Sequence, residues 1–200
     1  MAQPDCLSHA FFERDVLLVA RDLLGMRLVR PLNGERVAGI IAETEAYRGE
    51  EDQACHARVG RTSRTKVLYG PPGRAYVYFT YGMHWCLNCV AMPEGFPAAV
   101  LIRAIFPTEG LAEIAARRLN RPRADWVNGP GKITQALAID GNLNDIDICS
   151  QNAELWVEPG RPVPEKFALT GPRIGINRVA EPWRSIPWRF VIQQKAWYDL

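Results

Sequence analysis

The chain has 200 residues, of which 48% are hydrophobic and 23% are charged. This length and composition fit one sizeable domain with a buried core and exclude a chain that is disordered throughout. The formal net charge is only +2, so the total charge does not by itself indicate a nucleic-acid partner. No stretch approaches the roughly 20 apolar residues that cross a bilayer, and we expect no membrane segment.

The cysteines are odd in number and irregularly spaced, at Cys6, Cys55, Cys86, Cys89 and Cys149. This pattern argues against a disulfide framework and favours a reduced, intracellular protein. Cys86 and Cys89 have the spacing of a metal-binding pair, but side chains three residues apart on a strand point to opposite faces. The sequence therefore predicts no metal site at this pair.

The first elements carry two neighbouring carboxylates. Asp15 is predicted to cap a helix that ends before Gly25. The pair Asn33-Gly34 between apolar runs at 27–32 and 37–42 predicts a β-hairpin. We expect its second strand to carry Glu43 and Glu45 outward at its end, on the same side. The two could be an acid–base pair or ordinary solvated carboxylates, and their spacing does not decide between these.

Charge is unevenly distributed after this strand. Residues 53–93 contain no acidic side chain, whereas the ten residues before them contain five. The basic residues of this stretch are Arg58, Arg61, Arg64, Lys66 and Arg74. The asymmetry indicates either a basic lip that contacts DNA or a solvated loop beside a surface strand.

An aromatic hairpin is predicted next, with strands at 75–80 and 84–91 joined by Tyr81-Gly82-Met83. Alternation along the strands places Tyr78 and Asn88 across the hairpin from each other, facing one pocket. These side chains could equally be core. Tyr81 and Met83 at the tip would suit a wedge pushed between base pairs.

The rest of the chain predicts short elements of one α+β domain over residues 1–200. A strand at 98–104 precedes a helix that Thr108 caps and that ends at Asn120. Gly129-Pro130-Gly131-Lys132 opens a second helix, whose N-terminus could hold a DNA phosphate or be a simple turn. Short strands are expected at 155–158, near Ile174 and at 189–192.

Taken in order, these segments resemble the alkyladenine (3-methyladenine) DNA glycosylase family over roughly residue 10 to the C-terminus. The matching segments are Glu43-Thr44-Glu45-Ala46-Tyr47, His56, Tyr76-Val77-Tyr78, Tyr81-Gly82-Met83, Asn88, Val100-Leu101-Ile102-Arg103-Ala104, Gly129-Pro130-Gly131-Lys132, Gln135-Ala136-Leu137-Ala138, Pro172-Arg173-Ile174-Gly175 and Pro187-Trp188-Arg189-Phe190. Each segment alone is weak evidence, but the ordered set is specific.

The resemblance implies a role for each matching residue. Glu45 would be the general base that activates water, and Arg103 and the backbone carbonyl of Ile174 would help hold that water and the flipped nucleotide. The base pocket would consist of Tyr47 on one face of the base, His56 and Tyr78 on the other, and Asn88 where the 2-amino group of guanine must go. Tyr81 would fill the gap in the duplex with support from Met83. Arg61, Arg64 and Lys132 are our candidates for contacts to the DNA backbone.

The implied fold is a single mixed α+β domain, a curved antiparallel β-sheet flanked by short helices, with a protruding β-hairpin that enters DNA. The implied partner is double-stranded DNA with damaged purines, bound by a monomer that needs no metal or organic cofactor. No lysine accompanies Glu45, so we expect no strand-cleaving lyase activity. Two other functions stay open on residue patterns alone: a non-catalytic nucleic-acid-binding module and a hydrolase of small nucleosides.

Overall fold

The computed structural model of the protein describes residues 6–150 and 152–193. The α-helices are α1 (His9–Phe12), α2 (Val16–Asp22), α3 (Leu111–Arg117) and α4 (Pro130–Ala136). The strands are β1 (Arg27–Leu32), β2 (Glu35–Arg48), β3 (Ala75–Thr80), β4 (His84–Val90), β5 (Ala98–Glu109), β6 (Trp156–Glu158), β7 (Ala168–Gly171) and β8 (Arg189–Ile192). Single 3-10 turns lie at His56–Val59, Lys66–Tyr69, Arg123–Asp125, Gly141–Leu143 and Glu165–Phe167. The expected domain over residues 1–200 includes chain ends that lie outside the described residues.

All eight strands form one antiparallel sheet, which confirms the predicted α+β class. The order is β3-β4-β5-β2-β1-β6, with β8 paired to both β2 and β7. None of the helices in the described ranges has the length and apolar character needed to cross a bilayer.

Strand β2 changes its neighbour halfway along, and this corrects one prediction. Its first half pairs with β1 up to Ile40, and residues 43–45 pair with β8. Strand β5 pairs with the other side of β2 from Ala38 to Arg48. Glu43 and Glu45 therefore lie in the middle of the sheet rather than at an outward strand end, and Glu45 has no exposed surface. The register between β2 and β5 shifts on both sides of Glu43, and such bulges re-aim side chains beside functional sites.

The two faces of β3, β4 and β5 have different surroundings. On one face, alternate apolar side chains such as Val77, Leu87 and Ile102 join the main core, to which Val19 of α2 and Ile133 of α4 also belong. The other face carries a smaller cluster of aromatic and aliphatic side chains, among them Tyr76, Val90 and Ala99. Because strand side chains alternate with a period of two, the same three strands build the core and leave one face for a cavity.

The predicted β3–β4 hairpin is confirmed, with a register set by its three-residue turn. Thr80 pairs with His84, so Tyr78 lies opposite Cys86 and Asn88 lies opposite Tyr76. The expected pairing of Tyr78 with Asn88 is therefore wrong by two residues, although both side chains do face one cavity.

Two other local expectations are wrong. Thr108 does not cap a helix, because β5 continues to Glu109 and the Thr108 hydroxyl donates to the Ala38 carbonyl at 3.2 Å; Gly110 occupies the N-cap of α3. The strand expected near Ile174 ends at Gly171 instead. Pro172 follows directly and has no N–H to donate to a ladder.

The helix cap at Asp15 gives a test of the local prediction. Its side chain accepts a hydrogen bond from Leu17 N at 2.9 Å, and loss of such a cap lowers protein stability by about 1 kcal/mol. We expect Asp15→Ala to lower the free energy of unfolding by about that amount in urea titrations. Asp15→Asn keeps a capping oxygen and is expected to stay close to wild type; equal losses in both variants would contradict a capping role.

Candidate active site

A cavity of about 1100 Å³ opens on the face of the sheet that the helices leave uncovered. Seven of the residues to which the family resemblance assigns a role line it: Tyr47, His56, Tyr78, Tyr81, Asn88, Arg103 and Ile174. They come from β2, β3, the turn between β3 and β4, β4, β5, the first 3-10 turn and the loop after β7. The fold therefore brings together residues that are far apart in the chain.

Glu45 lies beneath this cavity, fully buried, with both carboxylate oxygens engaged. The backbone N–H of Ile174 donates to Oε1 at 2.6 Å. The Tyr47 hydroxyl donates to Oε2 at 2.8 Å, and Arg103 Nη1 lies 3.3 Å from the same oxygen. The contact of Ile174 with the carboxylate is thus made through its N–H rather than its carbonyl.

The surroundings of Glu45 have opposing effects on its pKa. Burial raises the pKa of Glu45 above its ordinary value, while the Arg103 charge and the hydrogen bonds from Ile174 and Tyr47 hold that pKa down. Burial and the neighbouring carboxylate raise the pKa of Tyr47 far above its usual value, so Tyr47 remains a donor. A carboxylate with a raised pKa is a better proton acceptor than a solvated one.

Glu43 has a different role from Glu45. It accepts from Arg103 Nε at 3.2 Å and from Arg189 Nη1 at 3.0 Å. Arg103 therefore bridges the two carboxylates, and Glu43 orients the arginine that faces Glu45. The prediction that the two glutamates share one side of the strand is confirmed.

Two further aromatic side chains, His56 and Tyr78, line the same cavity. The rings of His56 and Tyr78 lie 4.4 Å apart, edge to face, and His56 Nδ1 is 3.0 Å from the Tyr76 hydroxyl. Burial, followed by the charges of Arg64 and Arg58, lowers the pKa of His56 to about 4. The imidazole is therefore neutral at physiological pH.

Asn88 and Cys86 of β4 also line the cavity. Asn88 is buried, and its Nδ2 donates to the Tyr76 carbonyl at 3.0 Å, which fixes the amide. Cys86 lines the cavity whereas Cys89 belongs to the core. The prediction that these two thiols face opposite sides is confirmed.

The hairpin tip projects into solvent. Tyr81 is 79% exposed and Met83 is 68% exposed. Tyr81 and Gly82 both have left-handed backbone conformations, with φ of 51° and 66°, a conformation that is strained for a tyrosine. Tyr81 stands at the mouth of the large cavity, whereas Met83 borders a separate groove beside α4.

The candidate DNA-backbone residues are not equally available. Arg61 and Arg64 are exposed and lie over the rings of Tyr69 and Tyr78, at 5.8 and 5.2 Å from the ring centres. Lys132, by contrast, donates to Asp125 and Asn128. Arg74 pairs with Asp145 at 3.1 Å and is thereby tied to a neighbouring loop.

One group of side chains outside the cavity has metal-ligand chemistry. A nitrogen of His9, an oxygen of Asp147 and the sulfur of Cys149 lie within 4.8 Å of one another. Asp147 Oδ1 is already 3.1 Å from His9 Nε2 and accepts from Cys149 N at 2.9 Å. These contacts tie α1 to the loop before residue 150.

A buried ion pair behind the cavity wall was not predicted from the sequence. Arg173 and Asp52 are joined by two hydrogen bonds and have no exposed side-chain surface. The two residues are 121 positions apart, and no local pattern links them. The one available signal was the position of Arg173 next to Ile174.

Comparisons with known proteins agree with this geometry. A family model described as methylpurine-DNA glycosylase (MPG) matches residues 10–196. A relative from Carboxydothermus hydrogenoformans is 44% identical over 191 residues, which cover 96% of this chain and 97% of the relative. Another, from Methanocella arvoryzae, is 48% identical over 185 residues, or 92% and 90% of the two chains. Both carry the provisional name of a 3-methyladenine DNA glycosylase.

The neutral imidazole can be tested without substrate. Because the Arg64 charge contributes to the low pKa of His56, we expect Arg64→Gln to raise that pKa toward its ordinary value. The ring-proton shifts of His56, followed by NMR against pH, measure this directly. Arg61→Gln removes another exposed arginine, whose charge does not contribute to the low pKa of His56, and it is expected to leave the titration unchanged. Identical titrations in wild type and Arg64→Gln would contradict the assigned cause.

Proposed function

Because this chain belongs to the methylpurine-DNA glycosylase family, we propose that it flips 3-methyladenine and related alkylated purines out of duplex DNA and hydrolyses their N-glycosidic bond, leaving an abasic site. Membership makes it a DNA glycosylase, a hydrolase of N-glycosyl bonds that acts in DNA repair. The names of the relatives support 3-methyladenine as a substrate.

The observation that carries the proposal is the buried Glu45 beneath an aromatic cavity. In the proposed reaction a water molecule lies between Glu45, Arg103 and the Ile174 carbonyl. Glu45 takes a proton from this water as its oxygen attacks the sugar C1′. The bond from C1′ to the base breaks, and its electron pair leaves with the base. Negative charge near C1′ also stabilises the oxocarbenium character that develops there.

The aromatic walls support recognition of a cationic base. Alkylation at N3 or N7 gives the purine a positive charge, and tyrosine faces favour a cation by about 0.5–2 kcal/mol. We propose that Tyr47 covers one face of the base and that His56 and Tyr78 cover the other. A neutral His56 avoids a second positive charge beside the base. Asn88, fixed by its bond to the Tyr76 carbonyl, would oppose the 2-amino group of an undamaged guanine.

The exposed hairpin tip supports base flipping. A base in a duplex is out of reach of a buried carboxylate, so it must leave the stack, which requires a few kcal/mol. We propose that Tyr81 occupies the gap and that Met83 supports it. Arg61 and Arg64 would contact phosphates, whereas Lys132 would first have to leave Asp125.

Hydrolysis without strand cleavage is also proposed. Among the described residues, no lysine lines the cavity, so no amine there is available for a Schiff base. We further propose that the protein acts inside the cell as a monomer on double-stranded DNA.

Base release from methylated duplex DNA tests the proposal. We expect the wild type to release 3-methyladenine in the presence of a chelator. Glu45→Gln should reduce the single-turnover rate by roughly 10²–10⁴-fold, the usual contribution of a general base. Chromatography of the released bases provides the measurement.

Glu43→Gln is the matched control, because it removes a neighbouring carboxylate whose hydrogen bonds come from Arg103 and Arg189. Its loss of rate should be much smaller. Absence of base release by the wild type, or equal release by Glu45→Gln, would overturn the mechanism. Binding that persists with no released base would favour a non-catalytic nucleic-acid-binding module.

The hairpin tip separates a DNA enzyme from a nucleoside hydrolase. Tyr81→Ala should weaken binding of lesion-containing duplex by about 1–3 kcal/mol, the range for a stacked aromatic, and should lower excision from duplex DNA. Phe79→Ala is the control, since Phe79 is also exposed but packs against Trp85 at 4.9 Å, away from the cavity mouth. Titration of a fluorescent duplex measures both. Unchanged excision by Tyr81→Ala would favour a hydrolase of small nucleosides.

A further inference from the structure

Arg173 makes four hydrogen bonds inside the protein. Nη1 donates to Asp52 and to the Ala46 carbonyl at 3.0 Å. Nη2 donates to the other Asp52 oxygen at 2.8 Å and to the Trp183 carbonyl at 3.2 Å. Since neither charged side chain has any exposed surface, this pair keeps one geometry rather than exchanging with water.

The guanidinium of Arg173 also contacts the wall of the cavity. It lies 4.7 Å from the centre of the Tyr47 ring and 5.1 Å from that of Trp188. Arginine stacks on aromatic rings in this way because its charge is planar and delocalised. Arg173 therefore fixes the ring that we assign to one face of the base.

Asp52 holds the segment that leads to His56 through backbone hydrogen bonds. Its carboxylate accepts from Arg48 N at 3.2 Å and from Ala54 N at 3.0 Å, and its carbonyl accepts from Cys55 N. The next residue along the chain is His56, the first residue of the 3-10 turn. The ion pair thus joins the strand that carries Tyr47 to the turn that carries His56.

Arg173 is followed immediately by Ile174, whose N–H donates to Glu45. We propose that the Arg173–Asp52 pair is the positioning element of the excision site, which holds the Ile174 N–H against the Glu45 carboxylate and sets the spacing of the Tyr47 and His56 walls. Neither residue touches the cavity as a catalytic group. The expected effect on base excision rests on the proposed function, whereas the effect on the contact between Ile174 and Glu45 does not.

The positioning has a chemical consequence at Glu45. The Ile174 N–H is one of the groups that hold down the pKa of the buried carboxylate. If Arg173 no longer fixes this loop, that bond weakens and Glu45 stays protonated to higher pH. Glu45 accepts a proton only when it is ionised, so the acidic limb of the excision rate moves to higher pH as well.

An NMR titration of the free protein tests the proposal. The chemical shift of the Ile174 amide proton should follow the ionisation of Glu45, because this N–H donates to the Glu45 carboxylate. Arg173→Lys keeps the charge but cannot reproduce the planar fork. We expect its titration midpoint to rise by roughly one pH unit, because a hydrogen bond to a charged group contributes on the order of one to two such units. An unchanged midpoint in folded Arg173→Lys would overturn the proposal.

A second arm measures single-turnover excision against pH. Arg173→Lys should lose roughly ten-fold at a pH below the Glu45 midpoint and recover most of that loss at higher pH, as a shift of about one unit requires. A purely structural role would lower the rate by the same factor at every pH, and that result would count against positioning. If the wild type releases no base while the amide titration shifts as expected, the proposed function fails and the positioning stands.

Two further variants keep the outcome interpretable. Arg36→Lys loosens another two-pronged arginine–carboxylate pair, with Glu158 at the far end of the sheet, and should leave the Ile174 titration unchanged. If Arg173→Lys does not fold, the double variant Arg173→Met with Asp52→Asn removes both charges together, which buried pairs often tolerate. It too should raise the midpoint, and an unchanged midpoint would again overturn the proposal.

Discussion

The site depends on keeping one carboxylate charge out of water. Glu45 has no exposed surface, and within residues 6–150 and 152–193 its charge is stabilised by Arg103, the Ile174 N–H and the Tyr47 hydroxyl. Burial raises the pKa of Glu45 in the folded protein above its ordinary value of 4.5. Protonated Glu45 therefore adds to the free energy of unfolding at pH below 4.5, and this contribution is lost as pH rises through the pKa of the folded protein. At neutral pH the ionised Glu45 therefore makes the free energy of unfolding lower than it is in acid. The same burial makes Glu45 a stronger base.

The strands β3, β4 and β5 contribute side chains to the core on one face and to the cavity on the other. Alternation places Val77, Leu87 and Ile102 inside and leaves Tyr78, Asn88 and Arg103 on the cavity side. One-residue slips would exchange these sets, so core packing fixes which side chains face the base. The precision of the pocket is thus a product of ordinary hydrophobic packing.

Sequence reading succeeded where a signal is local. The cap at Asp15, the Asn33-Gly34 turn and the β3–β4 hairpin follow from the chemistry of a few neighbouring residues. The prediction that Glu45 points outward was wrong, because Glu45 is buried between β5 and β8, which lie more than 50 residues away in the chain. The family resemblance supplied the set of cavity residues. The Arg173–Asp52 pair was not predictable, since a contact between residues 121 positions apart leaves no periodic pattern.

The loop that contacts Glu45 comes from the last part of the chain, 129 residues beyond it. The short strands beside this loop are β7 and β8, and most of their residues are at least partly exposed. They join the sheet as a branch, through the pairing of β8 with β2. Elements with few buried contacts open locally before the whole domain unfolds. Because the Ile174 N–H contacts Glu45, the site can form only after synthesis has passed residue 174. On heating, the site should come apart before the sheet melts.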